Sequence, residues 1–321
     1  MNREIIKIDN FHEYEVETIK EGGMGRVLIL NRVSDGDEFL DVLVEDHSEF
    51  YDKQFFHIYR KKLAIKTFKY DNFVETNRDL FERELNIWIG LDCPNIAKLL
   101  KIIYIKRQLF ALMPYYNSSL RDIMRQIGRH GIDDAKVVII NIVYGLYEVF
   151  KRYKIVHEDI KPENVLADFR KDKFYFFVSD WGIANIQKSY CPDVPSRDHI
   201  PKSFVETMKG MGTLPYMSPE RFLCYPSHIT ADIYSIGMIF FELLFGHLPF
   251  DYKSGKPLVS QIIDWDYFYI AEDLLRNNFD ERVTKVISKS IHPDMTKRYA
   301  DYKQLVLDVH NINIKRKSFF F

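Results

Sequence analysis

Residues 14–30 alternate apolar and polar positions around a glycine cluster. A period of two suits a half-buried strand, and clustered glycines give a tight turn its backbone freedom, so this stretch predicts strand, turn, strand. No clear periodicity follows over 31–62, which predicts an insertion or an extended hairpin, until Leu63-Ala64-Ile65-Lys66-Thr67-Phe68 resumes as a buried strand. Leu80, Phe81, Leu85, Trp88 and Ile89 then recur at helical spacing and predict a helix over 77–91. Cys93-Pro94-Asn95 stops it, and 96–105 and 108–113 predict two further strands around Lys106-Arg107. Beyond Pro114 the pattern changes to long helical runs at 133–153, 230–245, 270–277, 280–290 and 302–312, with short strands at 156–157, 165–166 and 174–178. The expected organisation is a strand-rich first lobe and a helical second lobe, joined near 113–117.

Composition narrows the function classes. The chain has 321 residues, 46% of them hydrophobic, which is ample for a buried core. Lys plus Arg number 45 against 46 Asp plus Glu, so no global field favours nucleic acid as a partner. Cys93, Cys191 and Cys224 form no C-x-x-C pair, which fits a reducing compartment better than a disulfide scaffold. The start is too charged for a signal peptide, and the apolar runs at 137–149 and 236–245 are shorter than the roughly 18 to 20 residues of a membrane span. A cytoplasmic protein with no membrane span is expected. Neither internal repeats nor low-complexity segments occur, and 314–321 suggests a frayed tail.

Chemistry concentrates in His157-Glu158-Asp159-Ile160-Lys161-Pro162-Glu163-Asn164, followed across an aromatic hairpin by Asp180-Trp181-Gly182. One carboxylate to take a hydroxyl proton, with an amide and a second carboxylate to hold divalent ions, is what phosphoryl transfer from ATP requires. The stretch resembles the catalytic and metal-binding loops of the protein kinases, with Glu158 and Trp181 replacing the usual Arg and Phe. Upstream, Glu21-Gly22-Gly23-Met24-Gly25-Arg26-Val27 resembles the glycine-rich loop, with Lys20 at the place of its first glycine. Ala64-Ile65-Lys66 resembles the strand that carries the phosphate-binding lysine. Downstream, Thr213 and Ser218-Pro219-Glu220 resemble the end of the activation segment, and Asp232 and Arg298 stand where the family has structural partners of that site.

The resemblance covers about 14–310. It implies a single protein kinase domain of α+β class: a bilobal fold with a small N-terminal antiparallel β-sheet lobe carrying one main helix (1–113), a hinge (114–117) and a larger, mostly helical C-terminal lobe (118–321). It further implies ATP and Mg²⁺, with Mn²⁺ as an alternative, and protein substrates phosphorylated on Ser or Thr, as the Lys161-Pro162-Glu163-Asn164 pattern and Thr213 suggest. Asp159, Lys161, Lys66, Glu84 and Thr213 would be catalytic, Glu84 by holding Lys66, and Asn164 and Asp180 would bind metal. Ile19, Gly22, Gly23, Gly25, Val27, Ala64, Lys66, Met113, Tyr115 and Leu166 would surround the nucleotide. His157, Trp181 and Trp88 would stack as a spine between the lobes. Glu158 would repel a phosphate on the activation segment, so catalysis is expected not to depend on phosphorylation there, Thr207 being the best candidate acceptor.

Two other readings are open. A small-molecule phosphotransferase of the same fold shares Asp159, Asn164 and Asp180 but generally lacks the Thr213 and Ser218-Pro219-Glu220 elements and the Glu220–Arg298 partnership. A scaffolding pseudokinase is favoured only by Lys20, Glu158 and Trp181.

Overall fold

The computed structural model describes residues 5–7, 13–21, 25–32, 62–68, 82, 85–105, 108–170, 172–181, 213–223, 225 and 228–312. The expectations for the glycines at 22 and 23, for Glu84, for the insertion between 33 and 61, for Thr207 and for the tail lie outside these residues.

Six antiparallel strands form the first sheet: β1 (Ile5–Lys7), β2 (Glu13–Glu21), β3 (Gly25–Arg32), β4 (Lys62–Phe68), β5 (Lys101–Ile105) and β6 (Gln108–Pro114), in the order β1-β2-β3-β4-β6-β5. Alternation divides them between two faces, as the period-two pattern requires. Leu28 and Leu30 of β3, Leu63 and Ile65 of β4 and Leu112 of β6 pack together with Leu100 and Ile103 on one face. Val27, Ala64, Ala111 and Met113 join the main core on the other. Lys66 shares the face of Ala64 and is paired in register with Val27 and Ala111, which places its ammonium over the main core side of the sheet.

Helical backbone at 85–89 ends at Gly90, and Trp88 donates its indole N–H to the Ala97 carbonyl at 2.7 Å. The expected strand from 96 is shorter than the pattern suggested. Ile96 bridges Val178 in parallel, while Ala97 N–H donates to Val178 O and Val178 N–H to Asn95 O, both at 2.8 Å. This segment is thereby paired to the strand preceding the second carboxylate of the site, and the sheet strand starts only at Lys101.

The second lobe begins with β7 (Ser118–Ser119) and α1 (Leu120–Ile127), which the periodicity did not reveal. Ser119 caps α1 in a reciprocal box with Asp122, the pattern that satisfies two orphan N–H groups at a helix start. Then come α2 (Ile132–Tyr153), β8 (Val165–Arg170), β9 (Lys173–Val178), the short α3 (Pro219–Phe222), α4 (Ile229–Phe245), α5 (Leu258–Ile263), α6 (Asp266–Asn278), α7 (Glu281–Ser290) and α8 (Tyr302–His310). Strands β7, β8 and β9 form a second, three-stranded sheet. α4 is buried along its whole length, so its apolar residues surround it rather than forming a stripe.

Two glycines permit close helix contacts. A Cβ on Gly145 of α2 would stand 2.9 Å from the Asn95 carbonyl oxygen, and one on Gly237 of α4 would stand 2.6 Å from both Ser290 Cβ and Ile291 Cγ2. Those neighbours of Gly237 are themselves buried, so Gly237→Ala is expected to cost about 1–3 kcal/mol by overpacking, read as a lowered urea midpoint at unchanged slope. Among the described residues no helix is long and apolar enough to cross a membrane.

Candidate active site

The loop at 154–161 has no regular structure and leads into a 3-10 turn at Pro162–Asn164, where proline suits the first position because its missing N–H has no partner to lose. The strand expected at 156–157 is absent, and the reason is local. His157 and Glu158 donate their backbone N–H groups to the Asp232 carboxylate, at 3.0 and 2.7 Å, instead of to a neighbouring strand. Asp232 is fully buried in the first turn of α4 and also accepts the Tyr302 hydroxyl at 2.8 Å. Burial pushes its carboxyl up, while His157, Tyr302 and the two N–H donors pull it down.

Glu158 has φ 63°, the left-handed region that non-glycine residues rarely occupy. The turn there redirects the chain so that Asp159 N–H points at His157 Nδ1, 3.3 Å away, while His157 Nε2 faces the Ser179 carbonyl at 2.8 Å. Both contacts are met by the tautomer with its proton on Nε2. The His157 ring meets Trp181 edge-on at 4.7 Å, and the Trp181 indole N–H finds the Val178 carbonyl at 3.3 Å. Two members of the expected spine therefore touch, and Trp88 is buried in the same core.

The Asp159 carboxylate is 1% exposed and its two oxygens differ. Oδ2 receives Asn164 Nδ2 at 2.9 Å and the Lys161 ammonium at 3.1 Å. Oδ1 is buried and has no hydrogen-bond partner among the described residues. A buried acceptor left open is costly unless a further group completes it. Lys161 also donates to Thr213 Oγ1 at 2.8 Å, tying the 154–161 loop to the segment before Ser218.

Asp180 is brought to this loop by Ser179, whose N–H and hydroxyl both donate to the Asn164 carbonyl, at 2.8 and 3.0 Å. Asp180 also has a left-handed backbone, φ 65°, and its Oδ2 lies 2.5 Å from the Lys66 ammonium. The expected Lys66–Glu84 pairing falls outside the described residues; what is described is the ion pair of Lys66 with Asp180. Val27 and Leu166 are half-buried against the core that contains Ala64 and Met113, and Tyr115 is half-buried with Lys62 over its ring at 4.7 Å. Ile19, on β2, is 49% exposed, and Gly25 opens β3 opposite Phe68.

One network escaped the sequence reading. Arg121 of α1 contacts Glu163 at 2.7 Å and Glu242 at 2.8 Å, and Tyr216 donates to Glu242 at 2.5 Å. These partners hold the Arg121 guanidinium firmly charged, and burial beside Glu242 pushes the Tyr216 phenol well up. The available signal was Glu242 itself, a charge among apolar residues near the end of a hydrophobic helix, which is rarely buried without a partner.

The comparisons agree with this geometry. The model of the protein kinase domain matches residues 54–309, most of the chain. The chain belongs to the protein kinase family. Among similar proteins, a probable serine/threonine-protein kinase PknB of Lactococcus lactis is 26% identical over 71% of this chain and 34% of its own length. The probable serine/threonine-protein kinase MARK-A of Dictyostelium discoideum is 26% identical over 77% of the chain and 21% of its own length. An Aurora kinase of Candida glabrata is 27% identical over 73% of the chain and 60% of its length. The chain thus spans less than two thirds of these relatives. The crystal structure of the Mycobacterium tuberculosis PknI kinase domain, a double mutant, matches with a TM-score of 0.58 at 17% identity over 92% of this kinase and 94% of that chain. That likeness establishes the bilobal α+β kinase fold.

Proposed function

We propose that this kinase transfers the γ-phosphoryl group of ATP to Ser or Thr hydroxyls of protein substrates, its own among them, and works in the cytoplasm. The observation that carries the reading is the Asp159 carboxylate, with Oδ2 held by Lys161 and Asn164 and Oδ1 buried and open. A carboxylate fixed this way can orient an incoming hydroxyl and take its proton through the open oxygen.

The residues present fit a magnesium nucleotide. Asp180 carboxylate and Asn164 amide oxygen are the hard donors Mg²⁺ prefers, and the Asn164 Nδ2 hydrogen bonds to Asp159 O and Oδ2 leave its amide oxygen as the ligating atom. When bound, Mg–ATP supplies the phosphoryl group with its charge partly neutralised. Mn²⁺ suits the same donors. Lys66 is the cation for the phosphates, which the glycines at 22, 23 and 25 also approach, Lys161 is placed to neutralise developing charge near Asp159, and Val27, Ala64, Met113, Tyr115 and Leu166 form the base site together with Ile19. Glu84 is assigned the bracing of Lys66.

Polypeptide rather than small-molecule substrates are favoured by the Lys161–Thr213 hydrogen bond and by Glu220, held by Arg298 at 2.7 and 2.9 Å, because together they fix the segment that would present a chain. Asp180→Asn is expected to abolish the Mg–ATP-dependent rise in melting temperature with little effect on the free protein, since it removes a ligand charge but almost no volume; Lys66→Met should behave similarly. An undiminished Mg–ATP shift in Asp180→Asn would refute the assignment. Activity is further expected to survive phosphatase treatment and Thr207→Ala; loss of transfer in either, with the fold intact, would show dependence on phosphorylation.

A further inference from the structure

Glu158 occupies the position directly before the proposed catalytic carboxylate, and its side chain is fully buried. Its carboxylate is 2.9 Å from the Arg221 guanidinium, itself 7% exposed. Arg221 follows Glu220 in the four-residue α3. Two adjacent side chains of one short helix thus run to different anchors, Glu220 to Arg298 and Arg221 to the catalytic loop. A second tie between that loop and the same segment is Lys161 to Thr213.

We infer that Glu158 and Arg221 are positioning residues: a buried clamp, anion on the catalytic loop and cation on α3, that fixes the turn presenting Asp159. The inference rests on the kinase reading above and deepens it. Three features support the clamp. Residue 158 sits in a left-handed conformation, which persists only where surrounding contacts over-determine it, and the Asp232 bond at its N–H and the Arg221 ion pair at its carboxylate are two such contacts. The cation also offsets a second anion immediately beside Asp159. And both side chains are buried, so their attraction is screened little by solvent. A small displacement of Asp159 suffices to slow the chemistry, because misplacement by about 1 Å can cost roughly 10²-fold. The nucleotide contacts assigned to Lys66, Asp180 and the base site do not pass through this clamp.

The test compares wild type, Glu158→Gln, Arg221→Gln, Arg221→Lys and the exchanged pair Glu158→Arg/Arg221→Glu. Each is assayed for phosphoryl transfer from ATP to a basic protein substrate well below its own melting temperature. Expected is a fall in kcat of tenfold or more in the two Gln variants, with KM for ATP unchanged, near-normal kcat in Arg221→Lys, and recovery in the exchanged pair to within about threefold of wild type. Gln variants that melt earlier yet keep wild-type kcat would overturn the inference by making the pair merely structural. So would a raised KM for ATP at constant kcat, or an exchanged pair no better than either single variant. A wild-type protein that transfers no phosphate would sink the kinase reading and the clamp with it, an outcome distinct from an active wild type with indifferent variants.

Discussion

Asp159→Asn is expected to lower kcat by roughly 10²- to 10⁴-fold, the usual contribution of a positioned acid–base group. Asn164 and Lys161 donate to Asp159 Oδ2, and Oδ1 is buried with no partner among the described residues. An amide at 159 keeps the shape but loses the charge and the basicity: with its oxygen toward Lys161 and Asn164 it turns an NH₂ to the substrate hydroxyl, and with its oxygen toward the substrate it sets that NH₂ against two donors. KM for ATP should change little, because the nucleotide assignments lie with Lys66, Asp180 and the sheet. Steady-state kinetics at saturating ATP provide the check, and a kcat within threefold of wild type would contradict the role.

Arg298→Ala carries the largest expected loss of stability, about 3–5 kcal/mol, the range for breaking a buried ion pair by removing one partner. The Arg298 side chain has no exposed surface. It donates to both Glu220 oxygens and to the carbonyls of His292, Thr230 and Pro293, at 2.6 to 3.1 Å. Truncation strands the Glu220 carboxylate and three carbonyls at once. Arg298→Lys should recover only part of the loss, since an ammonium cannot reproduce the planar, two-pronged contact. Urea titration of both variants measures this; a midpoint for Arg298→Ala equal to wild type would show that the buried pair contributes nothing.

What the sequence made legible followed from periodicity and from polar residues in fixed order. Leu63 to Phe68 reads as a buried strand, and β4 lies there with Lys66 on the core side; the long apolar pattern of 230–245 became the buried helix α4. The departures arise where tertiary hydrogen bonding overrides local pattern. Val156 and His157 are apolar and aromatic enough for a strand, but Asp232, far along the chain, takes the N–H groups of His157 and Glu158 and holds the loop irregular. Ile96 looked like the start of a long strand, yet it pairs with Val178. Helix α6 starts at Asp266, before the expected 270, after Trp265 in a left-handed conformation that no periodicity encodes. The Ser119–Asp122 capping box was visible in the sequence and would have located α1. The Glu158–Arg221 pair was out of reach, because sequence gives an acidic residue before Asp159 but not the cation that folding brings to it.

The central claim is tested most directly by incubating the purified protein with γ-labelled ATP and Mg²⁺, alone and with a generic basic protein, beside the Asp159→Asn control, followed by phosphoamino-acid analysis. Label on serine or threonine that disappears in the control is the predicted result. Absence of label from wild-type protein that binds Mg–ATP, or label undiminished in Asp159→Asn, would contradict it.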